Sequence, residues 1–292
     1  EEENKALNSI QPQHFQPLLS CEKLIFDQQD LLHLSQGNIA ACFGNNYQQQ
    51  GNPSLRLPPQ KLLMIDRVID IDPQGGAAGL GLVMGTKSVT PEDWYFLCHF
   101  KNDPTMPGSL MVEGSCQLLQ FYLLFLGLQT RTVDARFQPI PELAMSSRFR
   151  GQVTPGSGTL VYQLEITEIG LSPQPFASAN VDIIFAGKTI AAIKNLGLQL
   201  SEKQPVSQKQ LGTLPSQITT PEPAALFSSE QLKELAEGYV TRCLGQEFQI
   251  YDNRRCVRVP NKEFCLISRV LEVEGKRHEL QPNSTITTNY DV

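Results

Sequence analysis

The chain has 292 residues, of which 40% are apolar and 18% charged; 24 Lys and Arg stand against 30 Asp and Glu, a formal net charge of −6. At roughly 100–200 residues per domain, this length fits one large domain or two ordinary ones. The charge argues against a nucleic-acid binder, and the composition excludes a wholly disordered chain.

Residues 1–21 read as a polar N-terminal tail. The acidic start at Glu1–Lys5 resembles neither a secretory signal nor a transit peptide. With no initiator Met, the chain is expected to be a piece of a longer protein. Seven cysteines, at 21, 42, 98, 116, 243, 256 and 265, form no C-x-x-C pair. That pattern predicts free thiols in a cytoplasmic setting, with neither a disulfide framework nor a zinc site. The most apolar window, Leu110 to Leu128, is interrupted by Glu113, Gln117 and Gln120. It reads as a buried helix, so no membrane span is expected.

The chain repeats itself. Phe26 to Tyr47 matches Phe227 to Phe248 at an offset of 201: Leu31 meets Leu232, Gly37 meets Gly238, Cys42 meets Cys243 and Gly44 meets Gly245. One inserted residue later, Arg56 and Pro58 meet Arg258 and Pro260, and Arg67 and Val68 meet Arg269 and Val270. We read a duplication. Each copy opens with a helix, capped by an Asp or Ser side chain just after the Phe and stopped near a Gly. A strand follows, at Leu62–Ile71 in the first copy and Phe264–Val273 in the second. Residues 202–224, rich in Pro, Gln, Ser and Thr, form the expected linker. The first domain is thus placed at 22–201 and an incomplete second copy at 225–292. The second copy is expected to be either poorly ordered or docked on the first unit, because a partial sheet leaves an unpaired edge.

In the first copy, the glycine-rich stretch Gly75–Gly85 lacks the strand–turn–helix context of a phosphate loop and predicts a twisted strand. A helix is predicted from Gly108 or Ser109, with Ser109 able to cap it and Gly127 a plausible stop. Its polar residues Glu113, Gln117 and Gln120 fall on one narrow stripe of an otherwise apolar surface. Strands are predicted where Leu160, Tyr162, Leu164 and Ile166 alternate with polar residues, and at Ala177–Phe185 and Thr189–Leu200. One apolar helix with several long strands implies an α+β layout, an antiparallel sheet curled around a helix.

Of four histidines, His14, His33 and His278 are most simply solvated. His99 sits in an aromatic run from Trp94 to Phe100, ahead of a Pro-bounded turn. By spacing alone, a satisfied core residue is its simpler reading. Cys98 and His99 are a poor nucleophile–base pair, no G-x-S-x-G elbow is present, and His99 with Asp103 lacks further metal ligands.

The blocks LLMIDRV (62–68), CHFKNDPTMPGSLMVEGSCQLLQFYLLFLG (98–127) and RFRGQVTPG (148–156) together resemble the 3-hydroxyacyl-(acyl carrier protein) dehydratases of the FabA type. The duplication looks like the paired dehydratase region of polyketide-type polyunsaturated fatty acid synthases. The resemblance implies a hot-dog fold over about residues 56–200, followed by an incomplete second hot-dog unit. It implies a hydro-lyase in fatty acid biosynthesis that forms trans-2-enoyl thioesters, with His99 as base and Glu113 as acid. Gly108, with Ser109 beside it, would bind the thioester oxygen, and Gln117 would support the acid. It also implies no metal or other cofactor, an acyl carrier protein as substrate carrier, and a site shared between two hot-dog units, hence a homodimer or a second unit as partner. Position 113 holds Glu where the FabA pattern has Asp, as in the related dehydratases that do not isomerise the double bond, and Asn102 replaces a frequent Gly. A non-catalytic hot-dog partner unit and a hot-dog thioesterase are the alternatives.

Overall fold

The computed structural model describes residues 13–48, 51–156, 158–203, 224–279 and 281–291. Residues 1–12 of the expected tail and 204–223 of the expected linker lie outside them. The chain forms two compact units, one from Glu1–Thr90 with Pro107–Pro205 and one from Pro91–Met106 with Val206–Val292. Residues 91–106, expected within the first domain, therefore cluster with the second copy.

The first unit opens with helices α1 (Gln28–Ser35) and α2 (Ile39–Phe43). Asp27 caps α1 in a full capping box with Asp30, which satisfies two otherwise orphaned N–H groups. Seven strands follow: β1 (Arg67–Asp72), β2 (Leu82–Val89), β3 (Ala135–Pro139), β4 (Ser146–Phe149), β5 (Gly158–Gly170), β6 (Phe176–Phe185) and β7 (Lys188–Glu202). They form one antiparallel sheet in the order β1-β2-β5-β6-β7-β3, with β4 also on β7. The long helix α3 (Gly108–Phe125) packs on β2, β5, β6 and β7. This sheet around a helix is the hot-dog fold.

The core lies between α3 and the sheet. Leu160, Tyr162, Leu164 and Ile166 on β5 are fully buried, as their alternation predicts. Small residues let the layers approach. A Cβ at Gly114 of α3 would lie 2.4 Å from the Tyr162 hydroxyl, and one at Gly85 of β2 would lie 3.0 Å from Leu118. Phe26 bridges to Val68 of β1 and sets its ring edge-on to Phe121, 5.0 Å away, so the lead-in helices close the far end of α3. Residues 13–21 lie along this unit, with Leu18 N–H donating to Leu126 O at 2.8 Å.

Several boundaries differ from expectation. The strand predicted at 62–71 begins at Arg67; Gln60–Leu62 is a 3-10 turn, and Leu63, Met64 and Ile65 are buried in succession rather than alternately. The strand expected at 264–273 likewise begins at Arg269. Strand β7 extends through Glu202, whose carboxylate accepts from Val133 N and Asp134 N, so position 202 belongs to the sheet and not to the linker. The tight β6–β7 turn is Ala186-Gly187, both at positive φ, with Lys188 already paired to Phe185.

In the second unit, α4 (Ser229–Glu237) has its own capping box from Ser228 and Gln231, and α5 (Val240–Leu244) follows. Strands β8 (Arg269–Glu274) and β9 (Thr285–Asn289) pair antiparallel. The duplication holds in backbone detail. Phe227 bridges to Val270 as Phe26 does to Val68, and Gly44 and Gly245 adopt nearly the same conformation, φ 105° and 106° with ψ 169° in both. The pairing slips at Val270/Glu272 as it does at Val68/Asp70. Residues 91–106 join this unit through the Trp94 ring, 5.4 Å from Phe264, and through Asn261 N–H, which donates to Cys98 O at 3.0 Å.

Candidate active site

In the first unit, helix α3 carries four of the expected residues. Gly108 is its first residue, and Pro107 before it fixes an extended entry with φ −56° and ψ 136°. Ser109 is exposed and caps nothing: the N-cap is Pro107, and no side-chain bond closes the helix start. The capping expectation fails because the chain turns helical one residue earlier, placing Ser109 inside the first turn. What Gly108 does supply is room. A Cβ there would lie 3.2 Å from the Phe149 ring, so a residue of β4 sits over the helix start.

Glu113 is half-buried, less enclosed than the apolar helix sequence predicts. Its Oε1 accepts from Gln117 Nε2 at 2.9 Å, one helical turn on. Gln117 is fully buried, donates also to Leu62 O at 2.9 Å, and accepts from Met64 N–H at 2.7 Å. The side-chain amide is thereby pinned to a backbone segment outside the helix, and it pins one carboxylate oxygen in turn. The buried run at 63–65 leaves strand geometry at this point to present Leu62 O and Met64 N–H.

In the second unit, Trp94–Leu97 is a 3-10 turn and Cys98 closes it, so Cys98 and His99 follow a turn and not a strand. Cys98 is buried with its thiol on Trp94 O, 3.2 Å away. His99 is half-buried, its ring 4.3 Å from that of Phe100. Burial lowers its pKa below the ordinary 6.5, against an opposing pull from the Asp103 carboxylate. Its Nδ1 lies 2.7 Å from Thr105 Oγ1. In the neutral tautomer that donates there, Nε2 is the nitrogen left to accept a proton. Sequence reasoning missed Thr105; its place six residues after His99, in D-P-T-M-P, was the available signal. Asn102 has φ 61°, a left-handed conformation that Asn tolerates better than most residues and Gly adopts without strain.

The other histidines are not alike. His14 and His278 are exposed, and His278 stacks on Phe248, whereas His33 is half-buried rather than solvated. All seven cysteines are free thiols. Among the described residues, no group of three His, Cys, Asp or Glu side chains is placed to hold a metal, and no helix is long and apolar enough to cross a membrane.

Residues 57–194 match the FabA-like domain family. The chain is 39% identical over 183 residues to a polyunsaturated fatty acid synthase polypeptide of Thraustochytrium sp. (strain ATCC 26185 / S-3). That alignment covers 61% of this chain and 12% of that protein, so the chain spans a small fraction of the relative's length. Among solved structures, the dehydratase heterocomplex ApeI:P from Xenorhabdus doucetiae is 14% identical with a TM-score of 0.37, covering 56% of this chain and 98% of that one. The PaaI protein of E. coli is also 14% identical, with a TM-score of 0.29, covering 40% of this chain and 75% of that one.

Proposed function

We propose that residues 57–194, a FabA-type dehydratase region, remove water from 3-hydroxyacyl thioesters carried on an acyl carrier protein, giving trans-2-enoyl thioesters in fatty acid synthesis. The observation that carries this reading is the bond from Gln117 to Glu113, which holds a carboxyl group in place on the core helix of a FabA-like domain. A carboxyl fixed through one oxygen keeps the other for a substrate hydroxyl.

The chemistry assigns each group a part. His99 Nε2 takes the C2 proton, and the C2–H electron pair becomes the new C2=C3 bond. Glu113 gives its proton to the C3 hydroxyl, which leaves as water. Positioned acid–base groups contribute about 10²–10⁴-fold. Gly108 N–H, at a helix N-terminus, is the donor for the thioester oxygen as enolate charge develops, a contribution of about 2.7–4 kcal/mol. The reaction requires no metal or redox cofactor. The assembly we propose pairs this hot-dog unit with a second unit or a second copy of the chain.

An assay with a 3-hydroxyacyl thioester, following enoyl absorbance and free thiol separately, tests the reading. Enoyl product without thiol release is expected, lost in His99→Ala, nearly lost in Glu113→Gln and partly kept in Glu113→Asp. Thiol release without enoyl product would indicate a thioesterase, and full activity of Glu113→Gln would remove the acid from the mechanism.

A further inference from the structure

The segment that carries His99 lies between β2 and α3 in chain order, yet residues 91–106 pack with the second copy of the duplication. Three contacts inside that unit fasten it. Asn261 N–H donates to Cys98 O, the carbonyl directly before His99, at 3.0 Å. The Phe264 ring lies 5.4 Å from that of Trp94, tilted 30° to it. Lys101 Nζ donates to Gly238 O at 3.2 Å. Asn261 is itself fixed: it is 7% exposed, its Nδ2 donates to Glu237 Oε1 at 2.7 Å, and its carbonyl accepts from Phe264 N–H at 3.0 Å. Within the segment, His99 N–H donates to Tyr95 O and the Cys98 thiol to Trp94 O, each at 3.2 Å, so a displacement at Trp94 is passed on to the histidine.

The first copy lacks the groups for two of these contacts and shapes the third differently. In the alignment that pairs Arg56 with Arg258, Asn261 meets Pro59, which has no N–H, and Phe264 meets Leu62, which has no ring. Gly238 meets Gly37, but Gly37 has φ 80° and Gly238 φ −97°. The 3-10 turns Gln60–Leu62 and Lys262–Phe264 nevertheless correspond. The turn is kept between the copies, and the residues that grip the histidine segment belong to the second copy alone. We propose that the second copy is a positioning element for His99, with Asn261 and Phe264 as its positioning residues and Lys101 as the tie on the far side of the histidine. They act through the backbone at Cys98, the Trp94 ring and the Lys101 side chain. That the positioned ring serves as a base rests on the dehydratase reading; that it is positioned rests on the contacts themselves. Each contact is modest in free energy, but misplacing a reacting group by about 1 Å can cost ~10²-fold in rate.

NMR of the full 292-residue chain with ring-labelled histidine tests the positioning without turnover, and turnover of a 3-hydroxyacyl thioester tests its use. The His99 signals are identified by their loss in His99→Ala. In Phe264→Leu, which installs the first copy's residue, and in Lys101→Met, the His99 signals are expected to move while those of His14 and His33 stay. His278, stacked on Phe248 in the same unit, reports that the unit remains folded. In Phe264→Leu, kcat should fall about tenfold with KM within about twofold, and Phe264→Tyr, which keeps the ring, should retain most of kcat. His99 signals unmoved in both Phe264→Leu and Lys101→Met would overturn the proposal, as would equal losses of kcat in Phe264→Leu and Phe264→Tyr. Moved His99 signals in a chain that performs no dehydration would uphold the positioning and overturn the dehydratase reading.

Discussion

The imidazole of His99 is tuned by its surroundings in a direction with a measurable sign. Burial disfavours the charged ring, so the folded chain holds the proton less tightly than the unfolded chain does. Such a group contributes stability above its unfolded pKa, near 6.5, and that contribution is lost as pH falls through the lower folded value. In the proposed dehydration, the same shift would keep His99 neutral further into acid. If His99 is the base as proposed, the acid limb of kcat/KM is expected to have its midpoint below pH 6.5. A limb centred above 6.5 would contradict the burial argument. In the proposed mechanism, Thr105 would position this ring through the Nδ1 bond. Thr105→Val should lower kcat/KM by about fivefold, the rate equivalent of one neutral hydrogen bond, while Thr105→Ser should keep most of it. Equal losses in both variants would point to packing rather than to the hydroxyl.

At the scale of the element, helix α3 was legible from its sequence and the segment that holds it was not. Its length, its polar stripe and the stop at Gly127, which has φ 79°, all follow from residue pattern. So does β5, whose inner face alternates, whereas β6 buries Ala177, Ser178 and Ala179 in succession and was legible, with β7, as an apolar run on either side of the Gly187-Lys188 turn. The run Leu62–Ile65 reads as strand because it is apolar, yet three of its residues are buried consecutively, and its backbone serves Gln117. A period-2 pattern cannot show a backbone group recruited by a distant side chain. Strand β3 was missed because five residues with mixed burial carry no period. Gln117→Ala would leave the buried Met64 N–H and the part-buried Leu62 O without that partner and untether Glu113. A loss of about 2–5 kcal/mol in denaturant stability is expected, together with reduced turnover. Gly114→Ala would drive a methyl into Tyr162 and cost roughly 1–3 kcal/mol. Tyr162→Phe is expected to cost under about 0.5 kcal/mol, because the buried hydroxyl has no partner among the described residues.

Across the whole molecule, the duplication is written in backbone conformation as much as in side chains. Identity between the copies is sparse, but Gly44 and Gly245 share a φ, ψ pair that is almost exclusive to glycine. Each ends a short second helix, with its N–H returned to Ala40 O or Thr241 O, and sends the chain into a 3-10 turn. The recurrence of a strained position after sequences have drifted indicates that this turn, rather than the helices around it, is what both units require. Gly44→Ala isolates the backbone effect, since a Cβ there would meet nothing within 4 Å. It should destabilise the first unit by roughly 1–3 kcal/mol, read by far-ultraviolet circular dichroism in denaturant. For the second unit, the molecule carries its own probe. Trp94 is the single tryptophan, and its ring packs on Phe264 in that unit. Gly245→Ala should therefore move the Trp94 fluorescence transition to lower denaturant, by a shift equivalent to roughly 1–3 kcal/mol. The Cβ at 245 would also come within 2.6 Å of Glu247 Oε2, the flexible end of an exposed side chain, which adds little. An unmoved fluorescence transition in Gly245→Ala would show that the shared conformation carries no strain, and the turn would lose its claim as the feature both copies must keep.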